Sequence, residues 1–121
     1  MDEGRPIFQQ IAEQIENDII SGALPEETQV PSTNEFAAFL RINPATAGKG
    51  VGVLVDAGIL YKKRGIGMFV AHGARARLVS ERRERFRDQY LAPLLAEARK
   101  LGIDDEQLVR LIQQRPTEKE S

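Results

Sequence analysis

The sequence contains no cysteine and only one histidine, His72. Without thiols the chain can form neither disulfides nor thiolate metal sites, and no metal or other cofactor is expected. Catalysis needs a positioned base, nucleophile or metal. No motif here joins a serine to the lone histidine, so an enzyme is not expected, and His72, just after a strand-like run, reads as a surface residue. Gly65-Ile66-Gly67 has no following Lys-Ser/Thr and is no phosphate-cradling loop. No apolar run approaches the ~18 residues of a membrane span, so no membrane partner is expected. The acidic start, Met1-Asp2-Glu3-Gly4-Arg5-Pro6, runs straight into an amphipathic segment, unlike a signal peptide, which makes a cytoplasmic protein the expectation.

What remains is an ordinary globular composition, 41% hydrophobic and 29% charged over 121 residues, enough for one compact domain and a short appendage. The net charge of −1 hides a strong asymmetry. Residues 1–40 carry one basic and eight acidic groups; residues 41–77 carry seven basic groups (Arg41, Lys49, Lys62, Lys63, Arg64, Arg75, Arg77) and one acidic, Asp56; the remainder is balanced at nine of each. A central segment that basic is the electrostatic footprint of a polyanion-binding face.

Ile7, Phe8, Ile11, Ala12, Ile15 and Ile19 recur at helical spacing, and Ser21-Gly22 supplies a stop. Ser32-Thr33-Asn34-Glu35 is a capping box opening a short helix through Phe36, Ala37 and Leu40. Asn43 as N-cap and Pro44 at the first helical position start a third helix, expected to run to about Ala57 with Gly58 as its stop. Two short helices joined by Arg41-Ile42-Asn43 have the spacing of a helix-turn-helix. Ile59–Lys62 and Met68–Ala71 then read as strands of a hairpin around Lys63-Arg64-Gly65-Ile66-Gly67. Helix, helix, helix, hairpin is the order of a winged helix.

From about Arg75 the pattern becomes a long charged helix with Val79, Phe86, Tyr90, Leu91, Leu94, Leu95, Ala98 and Leu101 on one stripe. Pro93 should kink or restart it, because its ring clashes with the Gln89 carbonyl. Asp104 caps a last helix, Asp105 to Gln114, with Leu108, Leu111 and Ile112 expected inward. The reading is therefore a mainly α fold with a small β-hairpin: a winged helix-turn-helix over 1–74, a two-helix dimerisation region over 75–115, and a disordered tail over 116–121. Val79, Phe86, Tyr90, Leu91, Leu94, Leu95, Leu108 and Leu111 are the expected dimerisation residues.

On a helical wheel of the third helix Ala47, Val51, Leu54 and Val55 face the core, while Ala45, Lys49, Gly52 and Asp56 lie opposite and Thr46 on the flank. Recognition helices read base edges near their N-terminus. Lys49 is placed to donate to guanine, and Ala45 or the Thr46 methyl to pack on a thymine methyl. Lys62, Lys63 and Arg64 beside Gly65 and Gly67 suit a wing whose backbone approaches a groove while its cations meet phosphates. Ser32, Thr33, Asn34, Arg41 and Asn43 complete the expected DNA-contacting set. Gly48, Gly50 and Gly52 are an oddity, each costing ~1 kcal/mol against alanine inside a helix. Close approach of another backbone, or of DNA, is one explanation, and packing that overrides propensity is the other.

Pro6-Ile7-Phe8-Gln9-Gln10-Ile11, Val30-Pro31-Ser32-Thr33-Asn34-Glu35-Phe36-Ala37, Asn43-Pro44-Ala45-Thr46, Gly58-Ile59-Leu60 and Arg64-Gly65-Ile66-Gly67-Met68-Phe69-Val70 together resemble the GntR family of bacterial regulators, with order and gaps kept from about Pro6 to Val70. The Asn-Pro opening and the two helices after the wing are similar to the YtrA subfamily. That resemblance implies a homodimeric repressor binding double-stranded DNA at an inverted-repeat operator, often on a transporter operon and its own promoter. It names no small-molecule effector, and 44 residues after Arg77 leave little room for a ligand-binding domain. The family usually has a phosphate-binding arginine where this chain has Asn34, arginine where Lys49 stands and a β-branched residue at Ala47. Lysine does not replace arginine at a bidentate site without cost. A winged helix serving as a protein adaptor without specific DNA binding is the alternative.

Overall fold

The computed structural model describes residues 4–114, so the tail expected over 116–121 lies outside the described residues. Two compact units divide the chain, one ending at Glu81 and the other beginning at Arg82.

In the first unit, helix α1 spans Ile7–Ser21 and ends on Gly22, whose φ of 91° is the left-handed cap conformation that glycine adopts without cost. Helix α2 covers Thr33–Leu40 and α3 covers Pro44–Asp56. Strands β2 (Leu60–Lys63) and β3 (Gly67–Val70) pair antiparallel, Leu60 opposite Val70 and Lys63 opposite Gly67. The hairpin turn is two residues shorter than the sequence suggested. A third strand, β1 (Gln29–Val30), pairs with the outer side of β3, so the expected hairpin is part of a three-stranded sheet of order β1-β3-β2. Two residues are too few to show a period of two, which is why the sequence did not reveal β1.

Ile11, Ile15, Ile19, Leu54, Ile59, Leu60, Val70 and Leu78 are each less than 2% exposed and bind α1, α3, the sheet and the start of helix α4 (Ala74–Phe86) into one core. At ~1.5–3 kcal/mol per fully buried side chain, these residues dominate the favourable side of folding. Gly50 resolves part of the glycine oddity. A Cβ there would lie 2.8 Å from the Phe8 carbonyl oxygen and 3.0 Å from Ile11 Cγ2, so α1 reaches α3 only because that side chain is missing. Around Gly52 there is nothing within 4 Å, and at Gly48 only an ordinary 3.5 Å contact with Thr33.

The start of α4 is tied down in a way that redefines two cations. The Arg75 guanidinium donates to the Ile20 carbonyl at 2.8 Å, and the Arg75 backbone N–H donates to Glu26 at 3.0 Å. Arg77 pairs with Glu81 at 3.4 Å. Arg75 thus ties the start of α4 to α1 and the segment after it, while Arg77 is paired within α4, although the sequence groups both with the basic segment.

In the second unit a π turn over Arg87–Leu91 leads into α5 (Ala92–Lys100), and α6 spans Asp105–Gln113. Pro93 is expected to kink or restart the helix, and it stands in the first turn of α5; just before it the backbone widens by one residue, the Ala92 N–H reaching back to the Arg87 carbonyl. A wide turn moves the Gln89 carbonyl off the proline ring. Asp104 caps α6 in a box with Gln107, at 2.8 and 2.9 Å.

The apolar residues of this unit are largely open: Phe86 is 57% exposed, Tyr90 64%, Leu94 44%, Leu111 56% and Ile112 50%. Leu91, Leu95 and Leu108 are half-buried, and Ala98 is buried. Leu111 and Ile112 thus do not point inward within the single chain, since short helices of this unit offer too little surface to cover them. Val79 is half-buried in the first unit, where its neighbour Leu78 takes the core position.

Candidate nucleic-acid interface

The helix-turn-helix is set by local hydrogen bonding. Ser32 Oγ accepts from the Glu35 N–H at 3.1 Å, and the Glu35 carboxylate accepts from the Ser32 N–H at 2.7 Å, closing the expected capping box. Arg41 ends α2 in the left-handed region, φ 57°, unusual for a side chain with a Cβ. That turn lets the Ile42 N–H return to the Ala37 carbonyl at 3.0 Å and directs the chain into α3. Asn43 Oδ1 accepts from the Ala45 N–H at 2.7 Å, with Pro44 following in the first turn. The acceptors of Ser32 and Asn43 are therefore committed to caps, leaving the Ser32 hydroxyl proton and the Asn43 amide protons to face outward.

Along α3 the exposed residues are Pro44, Ala45, Lys49, Val53 and Asp56, with Thr46 and Gly52 half-buried. Thr33, at the start of α2, lies beside Gly48 of α3. Lys49 does not hang free: its Nζ lies 4.3 Å from the centroid of the Phe8 ring of α1.

The wing turns tightly. The Ile66 N–H donates to the Lys63 carbonyl at 2.9 Å, and Gly65 occupies the third turn position with φ 76° as a type II turn requires. Gln29 of β1 donates its side-chain amide to the Ile66 carbonyl at 3.0 Å, clamping the tip. At Gly67, φ 147°, a Cβ would be strained by the backbone and would push the Gln29 amide off the tip. On the outer face Tyr61 stacks on Phe69 with centroids 5.9 Å apart, and Lys63 Nζ stands 4.5 Å from the Phe69 centroid. Tyr61 donates to Glu27 at 2.6 Å, and this carboxylate partner raises the phenol above its ordinary value.

An open cleft of about 430 Å³ separates the wing from the start of α2. It brings together Ser32, Thr33, Lys62, Lys63, Arg64, Gly65 and Gly67 of the expected set, with Gln29 and Glu35 on its wall. A second cleft, about 290 Å³, lies between α3 and β2 and shares Thr33 and Lys62 with the first, adding Gly48, Gly52 and Asp56. Asn34, Arg41, Asn43, Ala45, Thr46 and Lys49 line neither cleft. His72 is exposed, with Nδ1 3.8 Å from Glu26. Sequence reasoning missed Gln29, Glu27 and Phe8 as supports of this surface. Gln29 and Glu27 sit outside any detectable periodic element; Phe8 was visible as an apolar position, but its pairing with Lys49 needs the α1–α3 crossing. Among the described residues no group of His, Asp and Glu could hold a metal, and no helix is long and apolar enough to cross a membrane.

Known proteins share this arrangement. The repressor YtrA of Bacillus subtilis strain 168 is 29% identical over 103 residues, covering 85% of this chain and 78% of YtrA. A GntR-family transcriptional regulator from Bacteroides thetaiotaomicron superposes with a TM-score of 0.71 at 33% identity, covering 88% of this chain and 93% of the other. The DNA-binding domain of AraR, solved in complex with operator ORX1, superposes with a TM-score of 0.54 at 32% identity over 59% of this chain and 87% of that domain. The profile of bacterial regulatory proteins of the gntR family matches residues 7–70, the span that carries α1 to α3 and the wing. The chain belongs to the GntR family and is a DNA-binding transcriptional regulator with a winged-helix fold.

Proposed function

We propose that the protein is a homodimeric repressor that occupies an inverted-repeat operator, with a transporter operon as its target. The α3 face carrying Ala45, Thr46 and Lys49 reads bases in the major groove. Lys62, Lys63 and Arg64 on the wing meet phosphates, and the Ser32 hydroxyl and Thr33 at the start of α2 flank the same cleft. The observation that carries the dimer is the set of large apolar side chains left open after Arg82, Phe86, Tyr90, Leu94 and Leu111 among them. Monomers seldom leave such a set wet. YtrA, a relative matched over 85% of this chain, is itself a repressor.

Selection of bound duplexes from a random pool tests the operator: an inverted repeat with two equivalent half-sites is expected, and a single asymmetric site would overturn the symmetric reading. Lys49→Ala should cost ~1–3 kcal/mol on the selected site and relax preference at one position per half-site. Lys63→Ala should weaken binding to every duplex and flatten the salt slope by about one unit. Unchanged base preference in Lys49→Ala would remove Lys49 from the reading set.

A further inference from the structure

Lys49 is an exposed lysine on a helix that offers it no guidance. Its neighbours three and four positions away are Ala45, Thr46, Gly52 and Val53, so no carboxylate on α3 can hold the ammonium. An arginine would bring a planar, pre-shaped fork to a base edge; a lysine brings a point charge on a four-carbon stem with ~2 kcal/mol of rotamer entropy to lose. The direction has to come from outside the helix, and α1 supplies it. Phe8 is half-buried, and its ring centroid lies 4.3 Å from Lys49 Nζ, inside the ~6 Å range of a cation–π contact. The ring is close because Gly50, the next residue along, has no side chain to keep the Phe8 carbonyl away.

We propose that Phe8 is a positioning residue for base recognition: its ring holds the Lys49 ammonium over the exposed face of α3, so that base preference at the Lys49 position depends on an α1 residue that contacts no DNA. The inference rests on the reading of Lys49 as a base-contacting group. Helical side chains lean towards the helix N-terminus, which here is the reading end. An ammonium seated on a ring face keeps N–H donors free on its far side for a guanine acceptor. The contact sets the geometry before DNA arrives and lowers the ordering cost of using a lysine.

The test compares the full-length chain with Phe8→Leu, Phe8→Tyr and Lys49→Ala on the selected operator and on single-base variants of it. Phe8→Leu keeps apolar volume and removes the ring; Phe8→Tyr keeps the ring. Expected is a two- to five-fold loss of base preference in Phe8→Leu, about the worth of an exposed cation–π contact, confined to the position that Lys49→Ala also relaxes. Phe8→Tyr should restore the preference, and Phe8→Leu should add nothing in a Lys49→Ala background. A merely structural Phe8 would alter stability and overall affinity while leaving the preference at that position intact. That result, with Lys49→Ala still relaxing it, would overturn the proposal and leave the reading of Lys49 standing. If Lys49→Ala itself left preference unchanged, the underlying reading would fail and the proposal with it. Proton NMR of the unmodified protein decides the geometry independently of any variant's folding. The Lys49 ε-methylene should shift upfield from ring current, as that of Lys63 over Phe69 should, while Lys62 serves as the unstacked reference; an unshifted Lys49 would overturn the proposal.

Discussion

Gly50 and Gly52 are two residues apart on α3 and have opposite reasons for lacking a side chain. At Gly50 the incoming Cβ meets the Phe8 carbonyl at 2.8 Å, and backbone cannot swing aside as a flexible side chain would. Overpacking of this kind costs ~1–3 kcal/mol, against ~1 kcal/mol recovered in helix propensity. Gly50→Ala should therefore lower stability, by up to ~2 kcal/mol. Gly52→Ala meets nothing within 4 Å and should gain up to ~1 kcal/mol. Urea unfolding of the two variants beside the parent checks both signs, and a stabilised Gly50→Ala would show that α1 and α3 can separate without loss. If Gly52→Ala gains stability yet binds operator less well, the bare position serves DNA. The three glycines stood out in the sequence, but their reasons did not: a helical wheel shows which way Gly50 points without showing how near α1 comes. Lys49 is the same case. Its exposure follows from periodicity, whereas its seat on Phe8 depends on which residues meet at a helix crossing.

At the scale of elements, what was legible was whatever is encoded locally. The Ser32–Glu35 box, the Asn43-Pro44 start and the Gly22 stop each use bonds spanning a few residues, and all three form as read. The two-residue strand β1 and the π turn at Arg87–Leu91 are imposed by partners, a neighbouring strand edge in one case and the Pro93 ring in the other. The wing depends on such a partner as well, because Glu27 reaches across from the segment before β1 to Tyr61. That bond has a pH signature. Tyr61 is neutral below the ordinary phenol value in folded and unfolded chains alike, so its contribution is fully present there. Acceptance of its proton by Glu27 raises the folded-state value above the unfolded one. The contribution is then lost as pH rises through the ordinary value and on through the raised one. Tyr61→Phe should unfold at a lower temperature than the parent at neutral pH, with the gap constant to about pH 9 and closing above pH 10. A gap that widened in alkali would mean that Tyr61 ionises more easily when folded, against the geometry.

For the molecule as a whole, one winged helix offers too few base contacts to find a single site among a genome of competing sequences. Two copies about a two-fold axis double those contacts and demand an inverted repeat. In the proposed dimer, the apolar side chains after Arg82 are the surface for that pairing. Phe86 and Tyr90 already pack ring to ring, tilted by 40° with centroids 5.8 Å apart, yet remain 57% and 64% exposed, so they form a preordered patch still open to a partner. Leu94 and Leu111 are open too, and Leu91 is half-buried. At ~1.5–3 kcal/mol for each side chain fully buried, partial burial of these residues from both copies is enough to oppose the ~4–15 kcal/mol entropic cost of association. Replacing Leu91 and Leu94 together with glutamate places charges in that surface that must be desolvated on pairing. The double variant should sediment as a monomer at micromolar concentration while the parent sediments as a dimer. Its winged helix should stay folded, because neither leucine belongs to the core built on Ile11, Leu54 and Leu78. Operator affinity should fall towards the level of random duplex, since each monomer keeps its reading head and loses the second half-site. A parent protein that sediments as a monomer would sink the pairing, and a monomeric variant that still binds the operator at full strength would separate dimerisation from recognition.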